Sequence, residues 1–155
     1  MLRFDLSAGS SSRIAPAAKD LDLDPGVFSE IKVDIALFSI AGKRRLQIQA
    51  RAMAALECDR TLRPFTLPIA GTHVLELLAP GEAFDADGDV EPLFVALGQD
   101  IVNLTVAVRD TLLLAIPARK VAPDAEKSEL QTVFGASGKH IDWRWETLRS
   151  SNKLD

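Results

Sequence analysis

The chain has few of the residues that build metal, redox and catalytic sites. Among its 155 residues there are one cysteine, Cys58, and two histidines, His73 and His140. A single cysteine cannot form a disulfide within the chain, and a structural zinc site needs four thiolate or imidazole ligands. The spacing of these residues gives no sign that they converge, so we expect neither a metal nor another cofactor.

Long apolar runs are also missing. No stretch reaches the ~20 apolar residues of a membrane-spanning helix, and the opening MLRFDLSAGS lacks the apolar core of a signal peptide. We therefore expect a cytoplasmic protein that does not enter a membrane. With 47% hydrophobic and 26% charged residues, the chain fits one globular domain that spans residues 1–155.

Positive charge is scarce over much of the chain. The formal net charge of −4 argues against a protein that coats nucleic acid, and DNA is not an expected partner. Residues 40–63 contain six lysines and arginines against two acids, whereas residues 64–108 contain seven acids and no lysine or arginine. This separation permits a surface with two faces of opposite charge, although solvated loops on an ordinary domain give the same pattern.

Alternation of apolar and polar residues at period two predicts three consecutive antiparallel strands. Residues 46–56 place apolar side chains at even positions, and the segments 31–40 and 65–79 show a similar alternation. Gly42 supplies a hairpin turn between the first two strands. The short apolar run at 93–98 predicts another strand.

A helix is expected after these strands. Residues 103–116 carry apolar side chains at helical spacing, with Asn103 as a cap and Pro117 as a stop, although their β-branched residues leave a strand as the alternative. Residues 118–141 lose periodicity and indicate a mobile loop, and a short C-terminal helix could begin at Asp142. The expected fold is α+β, with a predominantly antiparallel, curled or barrel-like sheet, one main helix and a short C-terminal helix.

The segment ECDRTLRPF, residues 57–65, holds the cysteine. Thr61 stands where a second cysteine would complete a C-x-x-C pair, so thiol–disulfide chemistry of the two-cysteine kind is excluded. Cys58 continues the apolar face of the preceding strand, which favours a buried, inert thiol. A nucleophilic cysteine activated by Arg60 and Arg63 is the alternative.

Enzyme signatures are absent from the sequence. It contains no phosphate-cradling glycine loop, no G-x-S-x-G elbow and no H-E-x-x-H pair. The run DADGDV at 85–90 has acids at the first, third and fifth positions of a calcium loop, but Val90 and Ala96 replace the required glycine and glutamate. We expect a protein that is not an enzyme.

Two groups of basic and aromatic residues are candidates for partner binding. Tryptophan and arginine are frequent anchors at protein and RNA interfaces. The turns that carry the basic residues would lie at opposite ends of a shared strand, and tryptophans docked on the core are the alternative to a partner site in the tail. The candidate residues are Lys43, Arg44, Arg45, Arg60, Arg63, Trp143, Arg144, Trp145 and Arg149.

Three segments, in order, resemble the YceD-like proteins, a family described as large ribosomal RNA subunit accumulation proteins. ECDRTLRPF looks like the family's C-x-R-C-L-x-P-F signature, and DIVNLTVAVRDTLLLAIP is similar to its I-D-L-x-x-x-V-x-E-x-I-x-L-x-L-P segment. IDWRWETLRS resembles its D-P-R-W-x-x-L tail, and the similarity runs from about residue 35 to 150. Thr61 departs from the paired cysteines of the family, so the metal that those cysteines suggest is not expected here.

The resemblance implies a non-enzymatic factor that supports accumulation of 23S rRNA and the large ribosomal subunit. Its partner would be large-subunit rRNA or a ribosomal protein, and Arg60 together with Arg144 and Trp145 would belong to the family's motifs. The strand-rich pattern leaves a β-barrel-like binder of a small apolar or acyl ligand as the alternative. Cys58 leaves a thiol enzyme as a third hypothesis.

Overall fold

The computed structural model describes residues 1–7, 11–85 and 90–125. They form two β-sheets, a short 3₁₀ helix and one α-helix. The strands are β1 Arg3–Asp5, β2 Ser11–Ile14, β3 Phe28–Ile40, β4 Lys43–Glu57, β5 Pro64–Leu78, β6 Val90–Phe94 and β7 Ile101–Asn103. The 3₁₀ helix is Ala18–Leu21 and the α-helix, α1, is Thr105–Leu114.

The main sheet has the strand order β2-β3-β4-β5-β6, and the smaller sheet pairs β1 with β7. All pairings are antiparallel except that of β5 with β6, which is parallel. The three consecutive strands predicted from alternation are confirmed as β3, β4 and β5. The predicted strand at 93–98 exists as β6 but lies earlier, at Val90–Phe94.

The prediction of a barrel-like sheet is wrong. In the described part of the chain β2 and β6 are the two edges of the main sheet and do not pair with each other. β2 covers only four residues of β3, β6 pairs with five residues of β5, and the sheet between these two short edges is open. The hypothesis of a small-ligand binder built on a barrel interior therefore loses its structural basis.

One face of the main sheet, called here the inner face, builds the hydrophobic core. Even positions of β4 such as Leu46, Ile48 and Ala50 are fully buried on this face. The helix α1 packs against it, and a Cβ added at Gly71 of β5 would lie 2.8 Å from the backbone oxygen of Thr111. Glycine at this position allows the close approach of helix and strand.

The helix prediction for residues 103–116 is confirmed with tighter bounds, Thr105–Leu114. The predicted cap is wrong by one position, because Leu104 is the N-cap residue and makes no side-chain capping hydrogen bond. The Asn103 Oδ1 instead accepts local hydrogen bonds from Thr105 N–H at 3.0 Å and from the Thr105 hydroxyl at 2.7 Å. The helix ends ahead of Pro117, which disfavours helical geometry in the residue before it. The short helix predicted from Asp142 lies outside the described residues, as does residue 126 onward of the predicted loop at 118–141.

Candidate functional site

The basic residues at the start of β4 surround a buried carboxylate. Glu76 is paired in register with Arg45, and its side chain is only 1% exposed. Arg45 contacts Glu76 Oε2 at 2.9 Å, and Lys43 Nζ lies 3.0 Å from Oε1. Two of the three candidate cations in this run therefore form ion pairs with Glu76, and the exposed Arg44 is the one that lies outside them.

These contacts shift the ionisation of the acid. The hydrogen bond from Lys43 is the largest influence and, with the weaker contribution of Arg45, it holds the pKa of Glu76 below its ordinary value. Burial acts in the opposite direction but is outweighed. Glu76 is therefore charged at neutral pH, and Lys43 and Arg45 serve the structure of the sheet whether or not they also meet a partner.

The second basic group lies in the turn between β4 and β5. Cys58 N–H donates to Arg63 O at 2.9 Å, and Leu62 N–H donates to Cys58 O at 2.8 Å, which closes the turn. Leu62 adopts a positive φ of 55° within it. Arg63 is exposed and Arg60 is half-buried.

The two basic groups are far apart. They occupy opposite ends of β4, which is 15 residues long. At about 3.3 Å per residue this separation is roughly 45 Å along the strand. The expectation that the two turns lie at opposite ends of a shared strand is confirmed, and the groups do not form one patch.

The thiol of Cys58 lies beneath this second turn. Its side chain is 0% exposed and packs with Ala122, Ala125 and the half-buried Phe65 and Val121 in a small cluster separate from the main core. The Ala122 N–H donates to Cys58 Sγ at 3.4 Å. The prediction that Cys58 is buried is confirmed, and its inertness stays a prediction.

Hydrogen bonds to the sulfur change its acidity. The Ala122 N–H, the Thr61 side chain and the backbone N–H groups of Arg60 and Thr61 lower the pKa of Cys58 to about 7, although burial opposes the shift. Hydrogen bonds from Ala122 and from the turn therefore favour the thiolate. Thr61, which stands where a second cysteine would complete the C-x-x-C pair, is one of the residues that donate a hydrogen bond to the sulfur.

The turn is also attached to the segment after α1. Asp59 N–H donates to Lys120 O at 2.7 Å, and Lys120 N–H donates to Asp59 Oδ2 at 2.6 Å. This reciprocal pair joins residues 61 positions apart in the chain. It holds the residues that cover Cys58 in place.

The cysteine and the described histidine are not brought together. His73 lies opposite Ile48 in the β4–β5 register. Ile48 is ten residues before Cys58, so His73 and Cys58 are separated by roughly 30 Å along the direction of β4. The His73 Nε2 lies 3.3 Å from Glu91 Oε2 but makes no hydrogen bond. His140 lies outside the described residues, and within them no cluster of three or more potential metal ligands occurs.

The aromatic part of the candidate site is not described. Trp143, Arg144, Trp145 and Arg149 all fall outside the described ranges, so their role as partner-binding residues stays a prediction. Of the nine candidate residues the structure therefore locates the five basic residues of the two turns.

Two features were missed by sequence reasoning. A cleft of about 300 Å³ lies between β6 and α1, with Leu75, Leu93 and Val106 among its walls and His73 and Glu91 at one side. The outer face of the main sheet, opposite α1, carries two further clefts of about 340 and 310 Å³. Neither has a local sequence signal, because each depends on strand register.

The strand order and the packing of α1 define the class of protein. It is an α+β protein with an open, largely antiparallel sheet. None of the helices in the described ranges has the length and the hydropathy of a membrane-spanning segment. The model of one protein family, described as Large ribosomal RNA subunit accumulation protein YceD, matches residues 46–150.

That match covers more than half of the chain, and the chain belongs to the YceD family. The family's description assigns it to the accumulation of large-subunit ribosomal RNA and does not describe an enzyme. No match was found among curated proteins or solved structures.

Proposed function

We propose that this protein is a non-enzymatic factor that supports accumulation of the large ribosomal subunit by binding large-subunit rRNA or a ribosomal protein. The observation that carries the proposal is the family match over residues 46–150. The exposed Arg44 and Arg63 give the two ends of β4 cationic groups that a ribosomal partner can contact. Such a factor works in the cytoplasm.

A depletion experiment tests the biological role. The gene is placed under a repressible promoter in its source cell, and mature and precursor large-subunit rRNA are measured against small-subunit rRNA together with gradient profiles of subunits. We expect mature large-subunit rRNA and free large subunits to fall, and a plasmid copy of the full chain to restore them. Unchanged rRNA and a normal subunit profile would contradict the proposal.

A second experiment identifies the kind of partner. Tagged full-length protein is purified from lysate with and without ribonuclease, and the bound ribosomal proteins and rRNA are quantified. Ribosomal protein that is lost after ribonuclease indicates contact through RNA, and ribosomal protein that is retained indicates direct contact.

The nine candidate residues are proposed to contribute to this contact. Arg44 and Arg63 are the most direct tests among the described residues, because Lys43 and Arg45 also hold Glu76. Arg60 is half-buried in the turn that covers Cys58, so its substitution would change both the turn and the surface. The tail residues Trp143, Arg144, Trp145 and Arg149 complete the proposal.

A further inference from the structure

Two cations lie directly opposite each other on the outer face of the sheet. Lys32 of β3 and Arg51 of β4 are Cα partners in the strand register. Both side chains are exposed, and the ion pairs found in the described residues include neither of them. Like charges in this arrangement repel and destabilise a sheet. A pair that costs stability and has no counter-ion in the described structure indicates a site for an anion.

A strand irregularity and a cleft lie beside this pair of cations. Lys32 follows a register irregularity after Ser29, where Glu30 has a positive φ of 52°. The cleft of about 310 Å³ beside the pair has Met53, Pro68 and Ala70 among its walls. Glu30 is the acid in this cleft, so the two cations exceed the acidic charge there.

A polar cleft adjoins the cation pair on the same face. The cleft of about 340 Å³ is lined by Gln47 and Gln49 of β4 and by Arg13, whose Nε donates to Asp34 Oδ1 at 2.6 Å. Gln49 and Arg51 are two positions apart on one face, about 6.7 Å along the strand. The two clefts are therefore adjacent along β4, and the amides of Gln47 and Gln49 lie beside the cation pair on the same face.

We propose that the outer face at Lys32 and Arg51 binds the phosphodiester backbone of RNA. The arginine fork can hold a phosphate through two hydrogen bonds, and the lysine adds a point charge beside it. The amides of Gln47 and Gln49 can hydrogen-bond ribose hydroxyls, and Met53 and Pro68 give an apolar surface for a sugar or base. This inference rests on the proposed function and selects RNA as the partner of this face.

Charge and chemistry favour RNA over a protein at this face. The cleft between β6 and α1 has mostly apolar walls, two acids and no lysine or arginine. The two clefts of the outer face together hold three cations, two glutamine amides and two acids, and one of these acids, Asp34, is paired with Arg13. The chain as a whole carries a net charge of −4, so the acidic segments repel RNA elsewhere. Binding is therefore local and sensitive to salt.

The test is the double variant K32Q/R51Q in the full chain. Its affinity for in vitro transcribed large-subunit rRNA, and for poly(U), is measured by filter binding over a series of salt concentrations. We expect on the order of ten-fold weaker binding and a salt slope that is smaller by about 1.4, since each phosphate contact to a single strand contributes about 0.7. A matched control, K19Q/R119Q, removes the same charge at two exposed positions and should leave affinity nearly unchanged.

A stability measurement separates lost contacts from lost folding. Because the variant removes a like-charge pair, its thermal midpoint should equal or exceed that of the wild type while RNA binding falls. Ultraviolet cross-linking of the wild-type protein to rRNA should also place cross-linked peptides in β3 and β4. Wild-type affinity in K32Q/R51Q, equal weakening in K19Q/R119Q, or cross-links confined to other segments would overturn the inference.

Failure of this inference differs from failure of the proposed function. If depletion lowers large-subunit rRNA but K32Q/R51Q restores it and binds RNA normally, the outer face is not the RNA site although the function holds. If depletion leaves rRNA unchanged, the function fails whatever the binding data show. If K32Q/R51Q loses a ribosomal protein that survives ribonuclease in the wild type, the face binds protein and the RNA inference is wrong.

Discussion

The Glu76 carboxylate is 1% exposed and meets Lys43 and Arg45 from the neighbouring strand. We expect Glu76→Gln to lower the thermal midpoint by several degrees at neutral pH, because it leaves two cations beside a neutral amide where one of them, Arg45, is only 18% exposed. Differential scanning calorimetry measures the effect. Glu57→Gln at the exposed end of β4 is the control and should change the midpoint little.

The pH dependence of this effect follows from the lowered pKa of Glu76. A carboxyl whose pKa is lower in the folded state adds stability that is fully present above its ordinary value of 4.5 and is lost as pH falls through the lower folded value. The midpoint difference between wild type and Glu76→Gln should therefore be constant at higher pH and shrink in acid. A difference that widens in acid would contradict the ion-pair interpretation.

Cys58 combines complete burial with hydrogen bonds that favour its thiolate. In an ultraviolet titration we expect the native thiol to ionise near pH 7 and the unfolded thiol near 9.0, with Cys58→Ser as the blank. The lowered pKa should stabilise the wild type over Cys58→Ser increasingly as pH rises from 7 toward 9.0. Alkylation of the native protein should remain slow because the sulfur is covered, and a native midpoint near 9.0 would contradict this account.

The hairpin between β3 and β4 carries an avoidable strain. Ala41 and Gly42 both have positive φ, 51° and 80°, as a two-residue type I′ turn requires. Alanine pays a steric cost in this region that asparagine and glycine largely avoid. We expect Ala41→Asn to stabilise the protein by about 0.5–1 kcal/mol in urea unfolding, and Ala41→Val to destabilise it. Equal stability of the three forms would mean that the turn relaxes.

The long strands could be predicted from sequence because each buries one face. Period-two alternation in these strands reflects the buried even positions 46–54 of β4 and the residues that pack on the same face of β3 and β5. The same reasoning missed β1, β2 and β7, since each has only three or four residues and offers too little pattern. It also expected a barrel-like sheet, because alternation does not reveal whether the two edge strands pair with each other.

The chemistry of the surfaces required strand register. The sequence shows that Lys43 and Arg45 are basic, but only the pairing of β4 with β5 places Glu76 between them, 31 residues from Arg45. Lys32 and Arg51 likewise become neighbours only in the β3–β4 register. Candidate cations could thus be named from the sequence. The sequence could not show which of them have a counter-ion and which do not.

Across the molecule, exposed positive charge is spread along β4. Arg44 lies at its start, Arg51 on its outer face and Arg63 beyond its end, whereas residues 64–108 contain no lysine or arginine. A ligand that meets both ends must span roughly 45 Å at the strand rise. An extended RNA or a ribosomal surface has that reach, and a small molecule does not.

This arrangement predicts independent contributions from the two ends. Arg44→Gln and Arg63→Gln should each weaken binding of large-subunit rRNA several-fold, and the double variant should show the product of the two effects. Residues this far apart couple by no more than about 0.5 kcal/mol in a double-mutant cycle. Filter binding of wild type, both single variants and the double variant measures the coupling, and calorimetry confirms that all four are folded. A double variant no weaker than either single variant would show that the two residues do not contribute independently, and four equal affinities would remove both residues from the interface.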